Sequence, residues 1–411
     1  MAGAGSTVPP VLYLLALPPT DSVIEGYLPA AARLGLDVTL LTDAPEAHRR
    51  AYEGRGGDAW PRIDIVPCEV RDFREVIARI AALDRRPEAV FTNSDHLQVQ
   101  AALTAEWFGL AGKGWRAALL TKNKAQMRRA LAEAGLETVW SAELTRPGDA
   151  EDVRPPFPSV VKPREGVASE DAELVEDRAE LLRHCQDVWS RRPGLPLVVE
   201  DYLRGPLHTL ETLGDGRALH ILGSFHEVDV VPPHFVLRRA DLLPAPPRTH
   251  VEQVVARLEA LGVGFGACHT EFVVQGERVS VIEVNYRSAG DQADLGLAEA
   301  LGIPLFEHIL GTHLGHTLPA DLSARRAGRL LRIETVHAER AGALTSAPGP
   351  VEWDRDGVRL VYRPQRKIGE EHPLHHSDRD HLGVMRATGP DQDRIGRVVA
   401  AFLAAHRWEI V

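Results

Sequence analysis

The sequence predicts an α/β protein with an open parallel sheet at its N-terminal end, a mixed domain built largely of antiparallel strands after it, and a C-terminal α+β segment. Three observations predict this. Short continuous apolar runs alternate with helically spaced stretches through the first hundred residues, the pattern changes after Gly114, and it changes again at Ser323 to Gly328. Continuous apolar strands that alternate with helices belong to a sheet covered on both faces, which is the parallel arrangement.

The first strand is Val11 to Leu17, and Val38 to Leu41 and Ala89 to Phe91 follow as further buried strands. Between and after them, Val23 to Ala32, Phe73 to Ala82 and Val99 to Phe108 have helical spacing. Thr42-Asp43 and Thr92-Asn93-Ser94-Asp95 lie just past strand ends, where open α/β sheets place ligand-binding loops; as ordinary helix caps they need no ligand. A basic helix spans Lys122 to Ala134, and Thr145 to Pro158 reads as a connecting loop rich in proline and charge. Gln392 to His406 is the closing helix. These changes divide the chain at 1–118, 119–322 and 323–411.

Composition narrows the function classes. Lys and Arg number 47 against 58 Asp and Glu, a net charge of −11, which argues against a main partner that is nucleic acid or an anionic membrane. The 44% hydrophobic content of 411 residues fills several cores and suits a globular chain. Cys68, Cys185 and Cys268 are odd in number and far apart, so they spell neither a disulfide framework nor a zinc knuckle, and a cytoplasmic setting fits. The first ten residues carry no Lys or Arg, and Val11 to Leu17 is too short to span a membrane.

The most informative stretch is Ala267 to Arg287. Gln275-Gly276-Glu277-Arg278 separates two alternating runs, so it reads as a β-hairpin. His269 and Glu271 share one face of the first strand, Glu283, Asn285 and Arg287 likewise share one face of the return strand, and the turn brings Glu271 nearly opposite Glu283. Two facing carboxylates repel unless a positive charge lies between them, and a hard divalent cation with oxygen ligands, magnesium (or manganese), removes that conflict. A solvated outer face neutralised by Arg278 or Arg287 is the alternative.

Two weaker signals precede it. The apolar strand Phe157 to Lys162 is followed by Glu165-Gly166-Val167-Ala168-Ser169, a small-residue loop whose backbone N–H groups can meet phosphate oxygens while Lys162 supplies a point charge. No stretch reads as a Walker loop. The stretch Leu197 to His208 reads as an apolar strand whose polar end, Glu200-Asp201-Tyr202-Leu203, can offer backbone groups to a purine, with His208 for ribose hydroxyls. A plain strand end with a turn is the competing reading.

In this order the signals resemble the ATP-grasp superfamily, and within it the biotin carboxylase-like and L-amino acid ligase group of carboxylate-amine ligases. The resemblance covers nearly the whole chain, from the parallel-sheet domain that precedes the grasp to the tail around Gly383 to Gly389. It implies an ATP-grasp fold with phosphate-binding Lys124, in Asn-Lys-x-x-Met-Arg, and Lys162, in Val-Val-Lys-Pro. It also implies an adenine hinge at Glu200, Asp201, Tyr202 and Leu203, and magnesium on Glu271, Glu283 and Asn285 in Glu-x-Asn-x-Arg, with Arg287 following. Gly166 and Ser169 match a phosphate loop that is richer in glycine in many members. Leu207 stands where many members place a ribose-binding Glu, and His208 where biotin carboxylases use a His.

The activity so implied is ADP-forming ligation: a carboxylate attacks the γ-phosphate of ATP, and an amine displaces phosphate from the acylphosphate. Arg287 is placed to hold a substrate carboxylate, and Lys162 to neutralise charge during phosphoryl transfer. His226 and Glu227 are candidates to line the substrate end, with exposed loop residues as the other reading. The loop around Gly166 is the candidate lid. Small-molecule carboxylates and amines are the implied partners, in siderophore-like or other metabolite synthesis, and a homodimer is common in the resembled group. Two rival readings stay open: a biotin carboxylase-like enzyme using carboxyphosphate, and a non-catalytic ATP-binding regulatory protein.

Overall fold

Strands Val11–Ala16, Asp37–Thr42, Ile63–Pro67 and Ala89–Phe91 form a four-stranded parallel sheet with Val11–Ala16 and Asp37–Thr42 inside. Every residue of the first of these strands is buried, as a strand covered on both faces requires. The computed structural model describes residues 9–243, 247–324 and 328–411, together with all their side chains except those of Glu227 and Leu243. The first eight residues, part of the start without Lys or Arg, and 325–327, part of the expected change at Ser323 to Gly328, lie outside them. Among the described residues no helix is long and apolar enough to cross a membrane.

A nine-stranded antiparallel sheet dominates the rest. Its order is Arg278–Asn285, Phe265–Gln275, Leu207–Asp215, Leu219–Val231, Val236–Leu243, Leu330–His337, His381–Gly389, Val358–Pro364 and Val351–Arg355. The sheet runs without a break across residue 322, because Val236–Leu243 pairs with Leu330–His337. A smaller antiparallel sheet, Ser141–Leu144, Leu197–Asp201, Ser159–Pro163 and Glu173–Val175, stands apart from it. Helix Arg178–Arg191, capped by Asp177, packs Leu181, Cys185 and Val188 onto Val161 and Val199 of that sheet.

Several expected elements differ in detail. Val23 to Ala32 is a π-helical turn, Ser22–Tyr27, leading into a short α-helix, Leu28–Arg33. The basic helix begins at Lys124 rather than Lys122, because Asn123 leaves the helical conformation and its side chain accepts from the Gln126 amide. Thr145 to Pro158 is not all loop: Pro147–Asp152 is a helical turn, and Asp149 accepts from the amides of the two residues before the turn, Thr145 and Arg146. All three cysteines are buried.

Candidate active site

The nine-stranded sheet, the smaller antiparallel sheet and the C-terminal ends of the parallel strands enclose a cavity of about 870 Å³. Lys124, Lys162, Gly166, Ser169, Glu200, Asp201, Tyr202, Leu203, Glu271, Glu283, Asn285 and Arg287 all lie on its wall. Asn93, Ser94, Asp95 and His96 reach it from the end of the parallel sheet, as a strand-end loop does in open α/β sheets. The Thr42-Asp43 loop is not on this wall; the Thr42 hydroxyl accepts from the Ala44 amide as a local cap.

The hairpin carries the acids. Strands Phe265–Gln275 and Arg278–Asn285 meet across a two-residue turn in which Gly276 takes φ +66°. From that turn the register runs Gln275 to Arg278 and Phe272 to Val281, then shifts, so that Glu271 faces Glu283 and His269 faces Asn285. Ile282 is the extra residue. Without this bulge Glu283 would stand opposite Thr270 and point to the other face of the sheet, because a one-residue slip inverts every side chain.

Each carboxylate has its own cation. Lys124 donates to Glu283 Oε1 at 2.9 Å and to the Gly166 carbonyl at 3.2 Å, which ties the helix start to both the hairpin and the small-residue loop. Burial disfavours the Lys124 ammonium, yet Glu283 outweighs it and raises the pKa. His269 lies between two acids, with Nδ1 2.6 Å from Glu211 Oε1 and Nε2 3.4 Å from Glu271 Oε1. Burial pushes its imidazole down, but Glu211 and Glu271 reverse this and raise it to about 10. For Glu271 burial acts upward; the hydrogen bond and charge of His269, with Lys162 and Lys124, bring its carboxyl below the ordinary value.

Glu200 has a different role from the one its hinge position suggests. Its carboxylate is buried and grips Arg128 through two contacts, 3.0 and 3.1 Å, and Lys162 through a third at 2.9 Å. Burial raises a carboxyl, but here Arg128 and Lys162 prevail and hold it at about 2. The Asp201 and Tyr202 amides are committed to the carbonyls of Trp140 and Pro158. Among the described residues, the Leu203 amide has no protein partner. Val160 and Ile282 line the same part of the cavity and offer apolar faces to a planar ring.

Three expected contacts are corrected. His208 is not on the cavity wall: alternation along Leu207–Asp215 turns Leu207 and Thr209 inward and His208 to the other face, where it stacks on Phe272 at 5.6 Å and meets His226 edge-on at 4.8 Å. His226 is turned away with it, and the Glu227 side chain lies outside the described residues. The Ser169 hydroxyl is spent on the Phe235 carbonyl at 3.0 Å, and its residue sits at φ +53° between two other left-handed residues, Ala168 and Asp171. The loop therefore bridges the cavity, joined also by the Asp378 amide to the Ala168 carbonyl and by Arg379 to Glu170.

Sequence reasoning missed Glu211, Arg128 and the half-buried Asp95–Lys122 pair. Glu211 had a readable signal, since it lies four residues past Leu207 on the same strand face. Arg128 and Lys122 had only their place in a basic helix.

Among the described residues, no three His, Cys, Asp or Glu side chains form a group able to hold a metal ion. The donor set that does converge is two carboxylates and the Asn285 amide, all oxygen, on facing strands. That set fits a hard cation that takes its other ligands from phosphate and water.

No protein-family model matches the chain. Among curated proteins it is similar to the uncharacterized protein y4rH of Sinorhizobium fredii, 24% identical over 412 residues that cover 94% of this chain and 80% of that one. It is also similar to the carbamoyl phosphate synthase large chain of Thermomicrobium roseum, 22% identical over 302 residues, 70% of this chain and 27% of that protein. Among solved structures, L-amino acid ligase from Bacillus licheniformis superposes with a TM-score of 0.77 at 20% identity, over 98% of this chain and 99% of the other. Biotin carboxylase from Campylobacter jejuni superposes at 0.68 and 15%, over 97% and 92%. The chain has the ATP-grasp fold, as its motifs imply.

Proposed function

We propose that the protein is an ADP-forming carboxylate-amine ligase. The observation that carries this reading is the convergence of Lys124, Lys162, Glu271, Glu283, Asn285 and Arg287 on one cavity that is also lined by the Gly166–Ser169 loop. The fold neighbours named as amino acid ligase and phosphoribosylglycinamide synthetase support it.

In this reading Leu203 holds the adenine edge, Val160 and Ile282 flank the ring, and Lys162, fixed by Glu200, sits over the phosphates. Glu271, Glu283 and Asn285 would hold magnesium, which supplies charge neutralisation to the phosphates of ATP when bound. Arg287 offers a planar fork to the substrate carboxylate. A carboxylate oxygen attacks the γ-phosphorus while the bond to the β,γ-bridging oxygen breaks and ADP leaves. An amine nitrogen then attacks the acyl carbon, phosphate departs, and the amine loses a proton. The bridging loop excludes water from the acylphosphate and must open to exchange ligands. Segment 1–118 contributes the Asn93–His96 loop, 119–322 the nucleotide and metal residues, and 323–411 the Asp378 contact to the loop. A cytoplasmic setting suits the three buried thiols.

The test is ADP and phosphate release from magnesium-ATP with a panel of carboxylates, bicarbonate, and carboxylate-amine pairs, on the wild type and Glu283→Ala. Pair-dependent release lost in Glu283→Ala supports the ligase. Release with bicarbonate alone moves the reading to carboxyphosphate chemistry, and background rates with every pair despite ATP binding move it to a regulatory protein.

A further inference from the structure

Two cross-strand rows cross the cavity face of the large sheet. Thr209, Glu271 and Glu283 form one; Glu211, His269 and Asn285 form the next. The ligase reading uses the first row's carboxylates and Asn285, and leaves Glu211 and His269 without a role. Yet these two are the most tightly connected pair on that face.

Glu211 is 3% exposed, and its Oε1 accepts from the Thr209 hydroxyl at 2.8 Å as well as from His269 Nδ1 at 2.6 Å. That anchors the ring on one side. On the other side Nε2 faces Glu271 Oε1 at 3.4 Å. The ring is thus fixed at Nδ1 by Glu211 and directs Nε2 at Glu271, and rotating it would break the Nδ1 contact. A partner that fixes one oxygen of a metal-binding carboxylate sets the orientation of the other, and removal of such partners typically costs about 10- to 100-fold in metal affinity.

We infer that Glu211 and His269 are a positioning pair for the cation site: Glu211 anchors the imidazole, the imidazole holds Oε1 of Glu271, and Oε2 is left for the cation. This rests on the proposed function, since it takes Glu271, Glu283 and Asn285 as the cation's ligands. A purely structural pair would affect folding stability and leave cation affinity alone.

The experiment is a manganese titration followed by electron paramagnetic resonance on the full chain saturated with a non-hydrolysable β,γ-imido ATP analogue. His269→Gln, Glu211→Gln, their double variant and Glu283→Ala are compared with the wild type, and nucleotide affinity is measured separately without metal. The expected result is manganese binding weakened about tenfold or more in each single variant, no further loss in the double variant, and unchanged metal-free nucleotide affinity. Glu211→Gln, which keeps the side-chain shape and leaves His269 in place, carries the test where His269→Gln does not fold. Wild-type manganese affinity in both single variants, with Glu283→Ala still losing it, overturns the positioning pair alone; additive losses in the double variant overturn it too. Wild-type manganese affinity in Glu283→Ala overturns the ligand assignment of the proposed function, and the pair with it.

Discussion

The strands Leu207–Asp215 and Phe265–Gln275 present a histidine on each face, and the two faces treat the imidazole in opposite ways. His269, toward the cavity, lies between Glu211 and Glu271, and their charges raise it to about 10 against the opposing effect of burial. His208, on the reverse, stacks on Phe272 and meets His226, and burial, then the charges of His226 and His250, push it down to about 4. The neighbours thus favour the charged imidazole on one side of the sheet and the neutral one on the other. The difference lies in the neighbours that alternation selects, acids on one face and rings on the other.

The largest expected effect sits on the cavity face. Glu283→Ala removes one of two facing carboxylates and leaves the buried Lys124 ammonium unpaired; under the proposed function, ADP release should fall on the order of 100-fold or more, read by a coupled assay. The fold should survive, checked by circular dichroism. An active Glu283→Ala enzyme would reduce the cavity face to a structural ion-pair array.

Next comes Glu200→Ala, which strands Arg128 and Lys162, both buried, without their shared carboxylate. Urea unfolding should show a loss of about 3–5 kcal/mol, the usual result of breaking a buried pair from one side. A loss under about 1 kcal/mol would mean that Glu137, 3.3 Å from Arg128, takes over the charge.

The reverse face gives a pH test. His208 has a folded pKa of about 4 against an ordinary value of 6.5, so the unfolded chain binds its proton first as pH falls. Its contribution to stability is complete above 6.5 and is lost as pH drops toward 4. His208→Phe should therefore flatten the fall in urea midpoint between pH 6.5 and 4 while leaving nucleotide affinity unchanged. Weakened nucleotide binding in this variant would return His208 to the ribose.

Ser169→Ala is the smallest effect. It deletes the hydroxyl that ties the loop to the Phe235 carbonyl, and a single neutral hydrogen bond is worth about 0.5–1.5 kcal/mol. Loop opening, followed by amide hydrogen exchange at residues 166–172, should quicken by about threefold to tenfold for that energy.

Much of the fold was legible because its signals are local. Val11–Ala16 is apolar throughout, and the closing helix expected over Gln392 to His406 runs Gln392–Ala405, with the Asp391 side chain accepting from the Arg394 amide. The hairpin of Phe265–Gln275 and Arg278–Asn285 follows from alternation on both sides of Gly276. The residues Lys124, Lys162, Glu271, Glu283, Asn285 and Arg287 were legible as a motif, and their meeting on one wall agrees with the order in which the motif places them.

What the sequence determined alone is therefore the inventory: buried parallel strands, a hairpin bearing acids and an amide, two lysines at strand and helix ends, and an acidic chain poor in cysteine. The tertiary structure decided which side each residue faces. Counting back from Gln275 and Arg278 sets Glu283 opposite Thr270, and only the extra residue Ile282 moves it opposite Glu271. His208 lies one residue from Leu207 and Thr209, and that single step turns it away from the cavity. Side chains alternate every residue along a strand, whereas register is set by pairing with distant strands and by bulges that local sequence does not announce.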